Sequence, residues 1–205
     1  MTSLLTFIEI AAIFAAAISG GLDARRKKMD FIGVYFVAMA TALGGGTMRD
    51  TLIGRFPVFW ARDSLYPIYV LIFSLLVVLL YKKSVLEHAH VVLLINVFDA
   101  IGLGLFTMVG ASYGMEFHCP FFSAILIGVV NGIVGGVLRD VLCNEIPTVF
   151  KTNTQLYATC AFLGATAYLA LFHAGLPQPH AFSAGIIITF VVRLVAMRFK
   201  IGLPI

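Results

Sequence analysis

Charge is what this sequence has least of. Only 12% of its 205 residues are Asp, Glu, Lys or Arg, and 60% are apolar; a soluble domain carries about 25% charged residues. A soluble catalytic core is excluded. The modest basic excess, 14 Lys and Arg against 10 Asp and Glu, reads as a topology signal rather than a nucleic-acid footprint. The three cysteines, Cys119, Cys143 and Cys160, have no CxxC spacing, so neither a disulfide framework nor a zinc site is implied. No Ser/His/Asp constellation, phosphate loop or nucleotide fingerprint occurs; neither an enzyme nor an ATP-driven pump is expected, and no cofactor. Missing too are the ten-residue segments of alternating polarity that membrane β-strands would show.

Apolar length is what the chain has. A hydrocarbon core of about 30 Å takes about 20 apolar helical residues. Runs separated by charged or Pro/Gly-rich breaks predict an all-α integral membrane protein with seven transmembrane helices, at 4–22, 30–48, 64–81, 91–111, 121–139, 154–173 and 181–198. The first run has no basic residue before it and carries Glu9, while Arg25, Arg26, Lys27 and Lys28 follow it; it reads as a retained helix, not a signal peptide. Ten of the fourteen basic residues, Arg25, Arg26, Lys27, Lys28, Lys82, Lys83, Arg139, Lys151, Arg198 and Lys200, fall on one face. The positive-inside rule therefore places the N-terminus outside and the C-terminus in the cytoplasm.

Sliding the chain by 90 positions aligns Gly20 with Gly110, Phe31 with Phe121, Gly45-Gly46 with Gly135-Gly136, Arg49-Asp50 with Arg139-Asp140, and Pro57 with Pro147. Glu9 falls on Asp99, and Ala38, Ala42 and Gly46 fall on Gly128, Gly132 and Gly136. Two copies of a three-helix unit explain this: residues 1–89 and residues 90–178, with 179–205 as a seventh helix and C-terminus. Three crossings per unit turn the second copy upside down, the inverted 3+3 repeat common in transporters.

The candidate site residues cluster in the duplicated segments. Gly44, Gly45 and Gly46 precede Arg49 and Asp50 on the second run; Gly135 and Gly136 precede Arg139 and Asp140 on the fifth. Helix-interior glycines cost about 1 kcal/mol each, favouring a break or kink whose carbonyls hold an ion, or else close packing of the two helices. Glu9 and Asp99, within apolar runs and near the starts of their helices, either coordinate or gate, or cap the helix or pair with Arg49 or Arg139. Asn131 either faces a pore or bonds across helices, and Asn96 is a second polar residue in a helix. Arg193 is expected to snorkel to the cytoplasmic headgroups. His88 and His90 read as solvated loop residues, and His118 precedes Cys119 without further ligands; no metal site is expected.

The GGGTMRD and GGVLRD segments, with Asp99-Ala100-Ile101-Gly102-Leu103-Gly104-Leu105-Phe106 opening the second unit, resemble the trimeric intracellular cation (TRIC) channel family. They are more closely similar to its prokaryotic branch, whose members are also described as glycine transporters. The resemblance implies a homotrimer in the plasma (inner) membrane of a prokaryote, in contact with lipid, with one potassium or sodium pathway inside each protomer. The helices bent at the glycine runs would line it, with Arg49, Asp50, Arg139 and Asp140 along it. The alternative it implies is a carrier for glycine or another small amino acid. The chain departs from animal members in lacking a lysine between Phe121 and Leu138, so their lysine-based gating does not carry over.

Overall fold

The computed structural model describes residues 2–80, 89–151 and 156–202; the expectations for Lys82, Lys83 and His88 lie outside these. Among the described residues the chain is all helical. Its elements are α1 (Thr2–Arg26), α2 (Phe31–Leu52), the one-turn α3 (Phe59–Arg62), α4 (Leu65–Leu80), α5 (Ala89–Glu116), α6 (Phe121–Leu142), a 3-10 turn (Thr148–Phe150), α7 (Ala158–His173) and α8 (Gln178–Phe199). Helices α1, α2, α5, α6 and α8 are long and apolar enough to cross a membrane by length and composition, while α4 and α7 are apolar helices of 16 residues.

The ends of matching helices are built alike. Arg26 and Glu116 end α1 and α5, and each is followed by a turn with a left-handed residue, Lys28 (φ 64) in one and His118 (φ 56) in the other. Helices α2 and α6 end in turns whose left-handed residues are Gly54 (φ 70) and Asn144 (φ 57). In both, a backbone N–H two residues past the cap returns to the helix: Arg55 to the Asp50 carbonyl and Glu145 to the Asp140 carbonyl, each at 2.8 Å. Asp30 caps α2 through Oδ1, which accepts from the Gly33 N–H at 2.8 Å.

Helices α1, α2, α5 and α6 pack as a central group, with α7 and α8 against α5 and α6. Small residues set the spacing. Ala12, Ala16 and Ala17 of α1 share a core cluster with Ala38 and Ala42 of α2, and Gly114 and Ala111 of α5 pack on Ala124 and Gly128 of α6. Lipid tails are as apolar as these side chains, so close backbone approach and dispersion hold the helices together. Leu71, Leu75, Leu76 and Leu79 of α4 point outward, a surface suited to lipid or a neighbouring copy.

Three expectations need correction. The glycine runs do not break their helices, because α2 and α6 remain α-helical through Gly44–Gly46 and Gly135–Gly136. The reason is packing: a Cβ at Gly45 would overlap the Asn131 carbonyl, and one at Gly135 would overlap the Thr41 carbonyl. The propensity cost is offset by an approach that only a bare backbone permits. Arg193 does not snorkel: it is 3% exposed, donates from Nη1 to the Leu156 carbonyl at 2.8 Å and lies 4.8 Å from the centre of the Tyr157 ring. The chain entering α7 supplies an acceptor and an aromatic face, so the guanidinium has partners without reaching headgroups. His90 sits in the first turn of α5, not in a loop, and is exposed.

Candidate functional site

The two Arg-Asp pairs lie in the last turns of α2 and α6, inside the helices rather than beyond them. Arg49 is fully buried. Its Nε donates to Asp50 Oδ1 at 2.8 Å and its Nη1 to Glu9 Oε1 at 2.9 Å. Glu9 Oε2 accepts from the Tyr66 hydroxyl at 3.2 Å, and Asp50 Oδ2 from the Phe59 N–H at 2.7 Å. The guanidinium lies 4.3 Å from the centre of the Tyr113 ring and 5.3 Å from that of Phe59.

The same construction recurs 90 residues on. Arg139 Nε donates to Asp140 Oδ1 at 2.9 Å, and its Nη1 donates to Asp99 Oδ1 at 2.6 Å and to Ser19 Oγ at 2.9 Å. Asp140 Oδ2 accepts from the Thr148 N–H at 2.7 Å, and the Tyr157 hydroxyl donates to Asp99 at 3.3 Å. Glu9 pairs with Arg49 and Asp99 with Arg139. A lone buried charge would be costly, and each guanidinium meets carboxylates on two sides.

One difference separates the clusters. At position 113 stands a tyrosine whose ring Arg49 overlies, whereas at position 23 stands an aspartate 3.7 Å from Arg139 Nε. A cavity adjoins each cluster. One, of about 380 Å³, is lined by Glu9, Arg55, Phe59, Asp63, Tyr113 and Glu116 among others. The other, of about 230 Å³, is lined by Asp23, Lys27, Asn96, Arg139, Asp140 and Glu145 among others. Each borrows residues from opposite ends of α1 and α5, so the cavities lie at opposite ends of the helix group.

Between them the candidate glycines and Asn131 lie in the seam of α2 and α6. Gly45 rests on the Asn131 carbonyl and Gly135 on the Thr41 carbonyl; Gly44 faces Leu138, and Gly46 faces the Phe59 ring. The Tyr157 hydroxyl lies over Gly136. The Asn131 amide donates across to the Phe106 carbonyl of α5, and its Oδ1 is buried without a hydrogen bond. A void of about 10 Å³ beside Thr41, Asp99, Gly135, Gly136 and Tyr157 has room for one water at most.

Sequence reasoning missed the aromatic and loop members: Tyr66, Tyr113 and Tyr157, with Arg55, Asp23 and Thr148. Tyrosines in apolar runs look like core or interface residues. The usable signal was the 90-residue offset carried past the Arg-Asp pairs to Pro57 and Pro147, which frames Arg55 and Glu145 as matching turn positions.

A family model described as glycine transporter matches residues 6–82 and again residues 96–173, the two matches starting 90 residues apart. A UPF0126 membrane protein of Vibrio cholerae is 36% identical over 99% of this chain and 83% of its own length. The UPF0126 inner membrane protein YadS of Escherichia coli is 31% identical over 98% of this chain and 95% of its own. The solved structure of a TRIC trimeric intracellular cation channel orthologue from Rhodobacter sphaeroides superposes with a TM-score of 0.88 at 30% identity, covering 97% of this chain and all of that one. The chain belongs to the prokaryotic TRIC family. As a TRIC family member it is a multi-helix membrane protein, and its paired clusters lie within a fold held in common with that orthologue.

Proposed function

We propose that this TRIC family member is a channel, not an enzyme, conducting monovalent cations, chiefly potassium and also sodium, along one pathway within each protomer of a homotrimer. The observation that carries this reading is the recurrence of one buried guanidinium–carboxylate cluster beside a cavity at each end of α1 and α5. Such an arrangement suits an inverted repeat with one entrance per unit. The pathway runs from the Glu9 cavity past Asp50, across the seam of Gly45, Asn131 and Gly135, to Asp140 and the Asp23 cavity. Carboxylates at both mouths raise the local cation concentration, and carbonyls at the seam replace hydration water. The seam is shut in this conformation, so conduction requires α2 and α6 to part. The basic residues near the Asp23 cavity support a cytoplasmic position for that end and an external N-terminus, in a prokaryotic inner membrane.

The test is planar-bilayer recording of purified protein in asymmetric potassium chloride. Discrete currents reversing near the potassium potential are expected, and Asp50→Asn with Asp140→Asn is expected to reduce them strongly; unchanged cation flux in that double variant would refute the assignment. A carrier for glycine is the second reading. It is favoured by the family description and by the Glu9 cavity, which presents Arg55 and Arg62 together with Asp63 and Glu116 to a small zwitterion. Silent bilayers with glycine counterflow in liposomes would select it.

A further inference from the structure

The two clusters match in their hydrogen bonds but not in their access. Arg139 and Asp140 are each 5% exposed and line the cavity beside them. Arg49 and Asp50 are 0% exposed, and neither lines the cavity at its end. What lines it instead is Arg55, with Phe59 and Tyr113. Arg55 Nη1 lies 3.5 Å from Asp50 Oδ1, buried and without a hydrogen bond, and the guanidinium stacks 4.7 Å from the centre of the Tyr113 ring that Arg49 also overlies. We propose that Arg55 is a gating residue: its guanidinium seals the Arg49–Asp50 cluster from the adjoining cavity, and its withdrawal opens that end of the pathway.

The repeat supplies the control. Position 145 has the same backbone placement, one residue past a left-handed turn and returning its N–H to the carbonyl of Asp140, as Arg55 returns its own to Asp50. There the chain has Glu145, whose carboxylate points away to Lys27 at 2.5 Å and Lys151 at 3.6 Å. Lys27 matches Phe117, which offers Arg55 no charge to follow; Asp23 matches Tyr113, which offers a ring to stack on. Arg55 therefore folds inward over Asp50, while Glu145 is drawn outward and leaves Asp140 open. Around Asp50 two guanidiniums answer two carboxyl groups; around Arg139 one guanidinium meets three, of which Asp23 is shared with Arg26. A cation that has entered the Arg55-end cavity meets a stacked lid between it and Asp50, whereas in the other cavity Asp140 itself is part of the lining. Arg55 is held by the Tyr113 ring and by the 3.5 Å contact to Asp50, its side chain is 21% exposed, and Asp50 keeps its hydrogen bonds to Arg49 and the Phe59 N–H when Arg55 withdraws.

This inference rests on the channel reading for its flux arm and is independent of it for its fluorescence arm. Trp60, the chain's one tryptophan, follows Phe59, whose N–H donates to Asp50 Oδ2 and whose side chain lines the cavity, so acrylamide quenching of Trp60 reports whether opening Asp50 to the cavity loosens α3 in the intact protein. Arg55→Gln is expected to raise potassium flux several-fold and to increase quenching at an unchanged melting temperature. Glu145→Arg, which puts a guanidinium beside Asp140 and Asp23, is expected to lower flux and leave Trp60 quenching unchanged. A general loss of structure would not raise flux. If the parent protein conducts and Arg55→Gln conducts no more than it does, the seal is refuted and the channel reading stands. If the parent protein carries no cation current, the channel reading fails and quenching decides the seal alone: a rise supports it, and identical quenching in parent and variant refutes it.

Discussion

At the scale of single residues, the buried arginines are fastened from several sides, and removing one strands its carboxylates. Arg49→Ala leaves Glu9 and Asp50 facing each other at the end of α2 without the guanidinium between them. The expected cost is about 3–5 kcal/mol, read as a fall in the melting temperature of the detergent-solubilised protein, with Glu9→Gln milder because Asp50 still answers the charge. The seam glycines make a sharper contrast. Gly45→Ala and Gly135→Ala each press a methyl against a backbone carbonyl that cannot turn aside, at an expected cost of about 1–3 kcal/mol. Gly44→Ala meets only the tip of Leu138, which can change rotamer, so its melting temperature should stay close to the parent's. The Arg-Asp pairs were legible because charge within an apolar run is conspicuous. The tyrosines that hold them were not, since a ring in such a run has no feature separating a hydrogen-bonding partner from a packing one.

At the scale of elements, the turn after α1 is tied to the segment after α6 by Lys27, Glu145 and Lys151 at the surface. The hydrogen bond and charge of Lys27 hold the Glu145 carboxyl below its ordinary 4.5, and the Glu145 carboxylate raises the Lys27 ammonium above its ordinary 10.5. The lowered carboxyl contributes stability that is fully present above pH 4.5 and lost as pH falls through its folded value; the raised ammonium contributes stability present below pH 10.5 and lost as pH rises through its own. Amide exchange at residues 27–30 and 143–147, taken relative to the intrinsic rate at each pH, is thus expected to be slow and flat between those limits and to quicken towards pH 3. The same quickening should follow Glu145→Gln at neutral pH, and 1 M potassium chloride should largely erase the difference, since exposed charges are screened within about 3 Å there. The helices carrying these turns were legible as apolar runs of the right length. Their continuity through the glycines was not, because intrinsic propensity describes a helix alone, and the reason those glycines are tolerated lies on the partner helix.

At the scale of the whole molecule, α4 turns a row of leucines outward and α8 exposes Ile187, Val191 and Val195. In a bilayer these faces meet lipid tails or a second copy of the chain. Native mass spectrometry from mild detergent is expected to give a trimer, and a monomer persisting across detergents and concentrations would refute the proposed homotrimer. Sequence reasoning reached the 90-residue offset because the alignment needs no gap. It did not reach the unequal access of the two clusters, which depends on residues where the copies differ, Arg55 against Glu145 and Tyr113 against Asp23.

The seam of α2 and α6 is reciprocal: residue 45 lies on the carbonyl of residue 131, and residue 135 on that of residue 41. Each half of the chain therefore brings one notch and one peg, set four positions apart, and accepts the opposite pair from the other half. A surface that carries both members of its own contact is complementary to itself. One half alone holds what is needed to close this seam against a second molecule of its own kind, so joining two copies end to end would have preserved an existing contact rather than required a new one.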